Sequence, residues 1–72
     1  MLKILVSDPI SEEGLQKLIE AEDIQLDRKT DLTPEELKQI IGDYQGLLVR
    51  SQTKVTKEIL DAANQLRVVG RA

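Results

Sequence analysis

Three residues that could bind an anion follow two apolar stretches of this chain. Arg50 and Ser51 come directly after residues 47–49, and Arg71 follows the stretch that begins at residue 66. A guanidinium can donate two parallel hydrogen bonds to one carboxylate or phosphate, and a serine adds a hydroxyl and a backbone N–H. The pattern therefore indicates a site for a small anion. The alternative is that Arg50 only caps a strand end or pairs with a surface acid, and the local pattern favours neither.

Two other charged residues lie near these arginines in the predicted fold. Lys54 belongs to the polar stretch 50–56 and could assist an anion, although a lysine in a loop is more often simply solvated. Asp8 follows the first apolar stretch, and an aspartate that begins a loop is more often structural than catalytic. The acid pairs at 12–13 and 35–36 are predicted to begin helices, where they complement the helix dipole.

The composition argues against several classes of function. The 72 residues include no cysteine and no histidine, so disulfides, thiolate metal sites and the commonest general base are excluded. A net charge of -3 and a single aromatic residue, Tyr44, argue against a nucleic-acid surface. No glycine-rich phosphate loop of the form GxGxxG or GxxxxGK[ST] occurs. No apolar run approaches the roughly 20 residues of a membrane span, and no signal peptide is evident, which predicts a cytoplasmic protein.

Charge is distributed unevenly along the chain. Residues 1–49 carry 5 basic and 11 acidic side chains, a balance of -6, whereas residues 50–72 carry 5 basic and 2 acidic ones, a balance of +3. A basic end on an acidic chain is a weak indication of a local anion site, since charged runs are more often solvated surfaces.

Four apolar stretches alternate with three amphipathic ones, which predicts an α/β fold with a parallel sheet and crossover helices. Residues 4–6 and 47–49 are apolar throughout, as is typical of central strands covered on both faces. Residues 24–28 alternate between apolar and polar, which is typical of an edge strand. The predicted order is therefore 2-1-3-4, a flavodoxin-like sheet that forms an incomplete half-domain. The predicted helix faces are Leu15, Leu18 and Ile19; Leu37, Ile40 and Ile41; and Ile59, Leu60 and Ala63.

This strand order brings the candidate residues together. If strand four lies beside strand three, the carboxyl ends of both strands point the same way, so Arg50 and Arg71 can share one anion with support from Ser51. The loops at 7–11 and 50–56 flank the crevice between strands one and three. Because only a few charge-assisted bonds would form, we expect millimolar affinity at best.

Three segments carry a resemblance to a known family. Residues 3–8, 46–56 and 62–72 resemble the N-terminal region of the D-isomer-specific 2-hydroxyacid dehydrogenases, in particular those that act on 3-phosphoglycerate. The most specific parts are the run Val-Arg-Ser-x-Thr-Lys-Val-Thr, which begins at residue 49, and the final Val-Val-Gly-Arg-Ala.

The resemblance implies that residues 1–72 are the N-terminal part of a substrate-binding domain. The parent enzyme would oxidise 3-phosphoglycerate to 3-phosphohydroxypyruvate with NAD, the first step of serine biosynthesis, and would be a homo-oligomer. Arg50, Ser51 and Arg71 match family positions that hold the carboxylate and phosphate of the substrate, and Lys54 matches a position near the same cleft. The cofactor domain and the catalytic histidine, glutamate and third arginine of the family have no counterpart here. The chain therefore looks like a fragment that is inactive by itself.

One alternative from another class is a stand-alone binding module of the receiver type, without catalysis. A receiver requires an aspartate at the end of strand three and paired acids after strand one. Arg50 occupies the first position and only Asp8 the second, which speaks against this alternative.

Overall fold

The computed structural model describes residues 2–71, with the side chains of Glu12 and Lys17 outside the description. Met1 and Ala72, the ends of the predicted domain, also lie outside it. In chain order the described elements are β1 (Leu2–Val6), α1 (Glu12–Glu20), β2 (Ile24–Arg28), α2 (Pro34–Ile40), a 3₁₀ turn (Ile41–Asp43), β3 (Gly46–Val49), α3 (Lys57–Ala62) and β4 (Val68–Arg71).

All four strands pair in parallel in the order β2-β1-β3-β4, which confirms the predicted α/β architecture. Leu5 pairs with Asp27 on one side and with Leu47 on the other, and Leu47 in turn pairs with Val69. The central strands are β1 and β3, whose residues 4–6 and 47–49 are apolar throughout, as expected where both faces of a strand are covered.

Each helix begins at a hydroxyl residue that caps it. The Ser11 and Thr56 side chains accept hydrogen bonds from backbone N–H groups three residues later, each at 3.4 Å. Thr33 and Glu36 form a reciprocal capping box: the Glu36 N–H donates to the Thr33 hydroxyl at 3.2 Å, and the Thr33 N–H donates to the Glu36 carboxylate at 3.0 Å. These caps satisfy N–H groups that have no partner inside the helix, and they place each crossover helix directly after its loop.

The main core lies between the sheet and the pair α2 and α3. Its buried members are Leu5, Leu37, Ile41, Tyr44, Leu47, Val49 and Ile59. On the opposite face of the sheet, α1 contributes Leu15, which is buried along with Ile4 and Val6.

The predicted helix faces are wrong at two residues. Ile19 is 45% exposed and Leu60 is 49% exposed. Each lies about 100° around its helix from a neighbour that is more buried, Leu18 or Ile59. Because α1 and α3 are short, the apolar stripe of each is wider than the surface that its neighbours cover, and these side chains remain about half exposed.

Several element boundaries also differ from the predicted ones. β4 begins at Val68 instead of residue 66, and it includes Arg71, which had been predicted to lie just past the strand. Arg71 is part of the ladder because it pairs with Val49. β1 begins at Leu2, two residues before the apolar run 4–6, and α1 ends at Glu20.

A buried tyrosine connects the core to the edge strand β2. The hydroxyl of Tyr44 donates to the Asp27 carboxylate at 2.7 Å. Burial and this carboxylate raise the pKa of Tyr44 to about 12, and the hydrogen bond from Tyr44 lowers the pKa of Asp27 below its usual 3.8. The ionised Asp27 and the neutral Tyr44 therefore stabilise each other at neutral pH.

Tyr44→Phe is expected to lower the free energy of unfolding at pH 7 by about 1.5–3 kcal/mol, because a hydrogen bond to a charged group is lost. The pKa of Asp27 is lower in the folded chain than in the unfolded one, so this stabilisation is present above pH 3.8 and disappears as pH falls through the folded-state value. Urea unfolding measures the free energy of unfolding of both proteins at pH 7 and at pH 3. The decrease in this free energy from pH 7 to pH 3 should be smaller in Tyr44→Phe than in the wild type, and an equal decrease in the two proteins would contradict this account.

Candidate functional site

The candidate site lies at the carboxyl ends of the parallel strands. Val49, the last residue of β3, pairs with Arg71, the last residue of β4. Arg71 therefore lies beside the residue that directly precedes Arg50. The structure brings these two predicted arginines to adjacent strand ends.

The turn that follows β3 is built around Asp8, the residue after Ser7 at the end of β1. Asp8 is only 1% exposed. One of its carboxylate oxygens accepts from the backbone N–H groups of Arg50 at 2.6 Å and Thr53 at 2.9 Å. The other accepts from the Thr53 hydroxyl at 2.5 Å, and that hydroxyl accepts from Ser7 Oγ at 3.0 Å. A buried carboxylate thus binds both ends of the turn.

These contacts keep Asp8 ionised. Burial acts to raise the pKa of Asp8, but hydrogen bonds from the side chain and backbone of Thr53 and from the backbone of Arg50 and Gln52 outweigh it, so the pKa lies below its usual 3.8. The internal carboxylate therefore uses the backbone donors of Arg50 and Thr53. An external anion at this edge has to rely mainly on side chains, with Ser51 as the remaining neighbouring donor.

The four predicted site residues all have exposed side chains. The Arg50 guanidinium makes one long hydrogen bond, from Nη1 to the Pro9 carbonyl at 3.5 Å, so its fork remains available to a ligand. Ser51 lies at the outer side of the turn, next to Arg50.

Lys54 and Arg71 border two different cavities. A cavity of about 250 Å³ lies on the α2 side of the sheet, and Lys54, Asp31 and Leu37 are among its lining residues. An apolar groove of about 210 Å³ lies on the α1 side, and Arg71 lines it together with Leu48. The structure therefore groups Arg50, Ser51 and Arg71 at the strand ends, while Lys54 turns towards the opposite face of the sheet.

Sequence reasoning missed the roles of Asp8 and Thr53 at this site. The sequence pattern favours a structural Asp8, but it indicates neither the turn that Asp8 binds nor the contact with Thr53, which belongs to the Val-Arg-Ser-x-Thr-Lys-Val-Thr run. The available signal is the Ser-Asp pair that directly follows β1, the strand next to β3, since a buried carboxylate at that position needs several donors.

Two negative findings apply to residues 2–71. No group of three or more carboxylate side chains in this part of the chain could hold a metal ion. None of its helices is long and apolar enough to cross a membrane, since the longest, α1, has nine residues.

Comparison with known sequences identifies a family and several relatives. A family model described as "D-isomer specific 2-hydroxyacid dehydrogenase, catalytic domain" matches residues 4–72. The D-3-phosphoglycerate dehydrogenase of Methanocaldococcus jannaschii is 44% identical over 72 residues, which is all of this chain and 13% of the relative. D-3-phosphoglycerate dehydrogenase 2 (chloroplastic) of Arabidopsis thaliana is 45% identical over 71 residues, which cover 97% of this chain and 11% of the relative. The human D-3-phosphoglycerate dehydrogenase is 41% identical over 70 residues, with 97% of this chain and 13% of the relative covered.

A solved structure shares the fold. The crystal structure of the PH0520 protein from Pyrococcus horikoshii OT3 aligns with a TM-score of 0.83 at 31% identity, over 99% of this chain and 21% of that one. The chain thus spans only a small part, about an eighth, of the curated relatives it matches.

Proposed function

The chain belongs to the D-isomer-specific 2-hydroxyacid dehydrogenase family, and on that premise we propose that residues 1–72 are the N-terminal part of the substrate-binding domain of an enzyme that oxidises 3-phosphoglycerate to 3-phosphohydroxypyruvate. In this proposal NAD accepts the hydride, the reaction is the first step of serine biosynthesis, and the enzyme is a homo-oligomer. The names of the relatives support the choice of substrate.

The observation that carries the proposal is the pairing of Val49 with Arg71. It places the guanidinium-bearing residues Arg50 and Arg71 at neighbouring strand ends. 3-Phosphoglycerate has a carboxylate at one end and a phosphate at the other, so two forked cations at neighbouring strand ends, whose backbones lie roughly 5 Å apart, can each take one anionic group of the same small molecule. Ser51 can donate its hydroxyl to either group, and Lys54 adds positive charge to the surroundings.

The residues of this chain do not fit NAD. β1 is followed by Ser7, Asp8 and Pro9, where a dinucleotide site would need a glycine-rich turn that lets phosphates approach the helix N-terminus. We therefore assign hydride transfer to residues outside this chain, and the inactivity of the chain by itself stays a prediction. The proposed task of these 72 residues is to bind and orient the substrate.

The test is a titration of the ¹⁵N-labelled chain with 3-phosphoglycerate, followed by NMR. Amide shifts should cluster at residues 50–54 and at Gly70 and Arg71. The expected dissociation constant is in the millimolar range, since two or three charge-assisted bonds of about 1.5–3 kcal/mol each must offset the entropy lost on association. Affinity should fall as salt rises because the site is exposed.

Two variants and one control sharpen this test. Arg50→Gln and Arg71→Gln should each weaken binding, and D-glycerate, which lacks the phosphate, should bind more weakly than 3-phosphoglycerate. Arg67→Gln is the matched control, because Arg67 is also an exposed arginine but precedes β4, at the end of that strand opposite to Arg71. Shifts centred on the helices, or equal binding in all three variants, would show that the site is wrong.

A further inference from the structure

The turn that presents Arg50 and Ser51 is held by a residue that does not itself face the anion site. We propose that Asp8 is a positioning residue: its buried carboxylate holds residues 50–53 in the conformation that directs Arg50 and Ser51 towards a bound anion. This inference rests on the proposed function for the identity of the anion.

The geometry supports this role because the Asp8 side chain accepts its hydrogen bonds from this one turn. Its carboxylate accepts from Arg50 N–H, Thr53 N–H and Thr53 Oγ1, at 2.6, 2.9 and 2.5 Å. The donors lie 42 and 45 residues further along the chain. The end of β1 is thereby connected to the first and last residues of the turn after β3, so the turn cannot open without exposing a buried charge.

A carboxylate at this position acts on an anion in two opposite ways. Its negative charge lies next to the site and repels a bound carboxylate or phosphate. Its hydrogen bonds order the donors, which lowers the conformational entropy that binding would otherwise cost. A role in positioning requires that the second effect is the larger one. Whether replacing Asp8 weakens or strengthens anion binding decides between them.

The decisive comparison is between Asp8→Asn and Asp31→Asn. Asp31 lines the cavity of about 250 Å³ on the α2 side of the sheet, as Asp8 does, and it is exposed. Its φ is 61°, which asparagine tolerates well. Both substitutions remove one negative charge, but only the first disturbs the turn. In the NMR titration with 3-phosphoglycerate, Asp8→Asn should weaken binding by about threefold or more, while Asp31→Asn should leave it equal or slightly tighter. Binding to Asp8→Asn as tight as to the wild type, or tighter, would overturn the inference.

A measurement without ligand separates this inference from the proposed function. Hydrogen exchange at the Arg50 and Thr53 amides should be slow in the wild type and about tenfold faster in Asp8→Asn, whereas the core amides of Leu5 and Leu47 should not change. If the wild type does not bind 3-phosphoglycerate, the proposed function fails, and these exchange rates still decide whether Asp8 orders the turn. Unprotected amides in the wild type, or equal rates in the variant, would refute that role.

A second pair of variants covers the case in which Asp8→Asn does not fold. Thr53→Val keeps the shape of the side chain but removes the hydroxyl that donates to Asp8, and Thr53→Ser retains the hydroxyl. Thr53→Val should accelerate hydrogen exchange at the Arg50 amide and weaken binding of 3-phosphoglycerate. Thr53→Ser should keep both the exchange rate and the affinity close to those of the wild type. Identical behaviour of the two variants would overturn the inference.

Discussion

Leu47→Ala is expected to leave much of the chain unfolded at 25 °C. Leu47 is fully buried at the centre of the main core, in a strand that pairs on both sides. Replacing such a leucine by alanine costs about 3–5 kcal/mol, because the transfer free energy of the side chain is lost and a cavity remains. A domain of this size buries only about 60% of its unfolded surface and has little stability in reserve. The loss is therefore comparable to the total stability.

The matched control is Leu60→Ala, the same substitution on the surface of α3. Leu60 is 49% exposed, so its truncation should change the free energy of unfolding by less than about 1 kcal/mol, and alanine also has the higher helix propensity. Urea unfolding followed by far-UV circular dichroism at 25 °C measures both variants. A similar loss of stability in the two would contradict the position of the core.

The strand order could be predicted because burial on two faces leaves a readable pattern. Residues 4–6 and 47–49 contain no polar side chain, and residues 24–28 alternate. Only the central strands of a parallel sheet need apolar residues at every position, so the two patterns assign β1 and β3 to the centre and β2 to an edge. The structure has this order.

The buried side of each helix was less predictable. Apolar residues at helical spacing define a broad stripe, but the stripe does not reveal which of its residues faces the sheet. Among the described side chains of α1, Leu15 is buried and Ile19 lies at the margin; in α3, Ile59 is buried and Leu60 is about half exposed. In helices of only nine and six residues, Ile19 and Leu60 therefore remain about half exposed.

Within the candidate site, the adjacent positions of Arg50 and Arg71 could be deduced from the strand order. The role of Asp8 could not, because its hydrogen bonds join residues 42 and 45 positions apart, and no local spacing encodes such a contact. The direction of Lys54 was also beyond sequence reasoning, since the course of a loop depends on the tertiary contacts that bind it.

The 72-residue chain is also expected to self-associate through β4. This strand is at the edge of the sheet, and its first two residues, Val68 and Val69, are 59% and 41% exposed. An open edge presents unpaired backbone donors and acceptors, and exposed valines add apolar surface that a second chain can cover. We therefore expect the apparent mass to rise with concentration in sedimentation and light-scattering experiments, by edge pairing or by exchange of an element between two copies.

Val68→Lys should convert the associating chain to a monomer. A lysine on an edge strand opposes pairing by its charge, and the lost burial of one valine, about 1.5–3 kcal/mol, corresponds to a tenfold or larger increase in the dissociation constant. Ile19→Lys is the matched control, because Ile19 is 45% exposed but lies on α1, away from the β4 edge. If association proceeds through β4, the control still associates. A wild-type chain that remains a monomer at high concentration would contradict the prediction, and so would an equal loss of association in both variants, since general surface hydrophobicity would then be the cause.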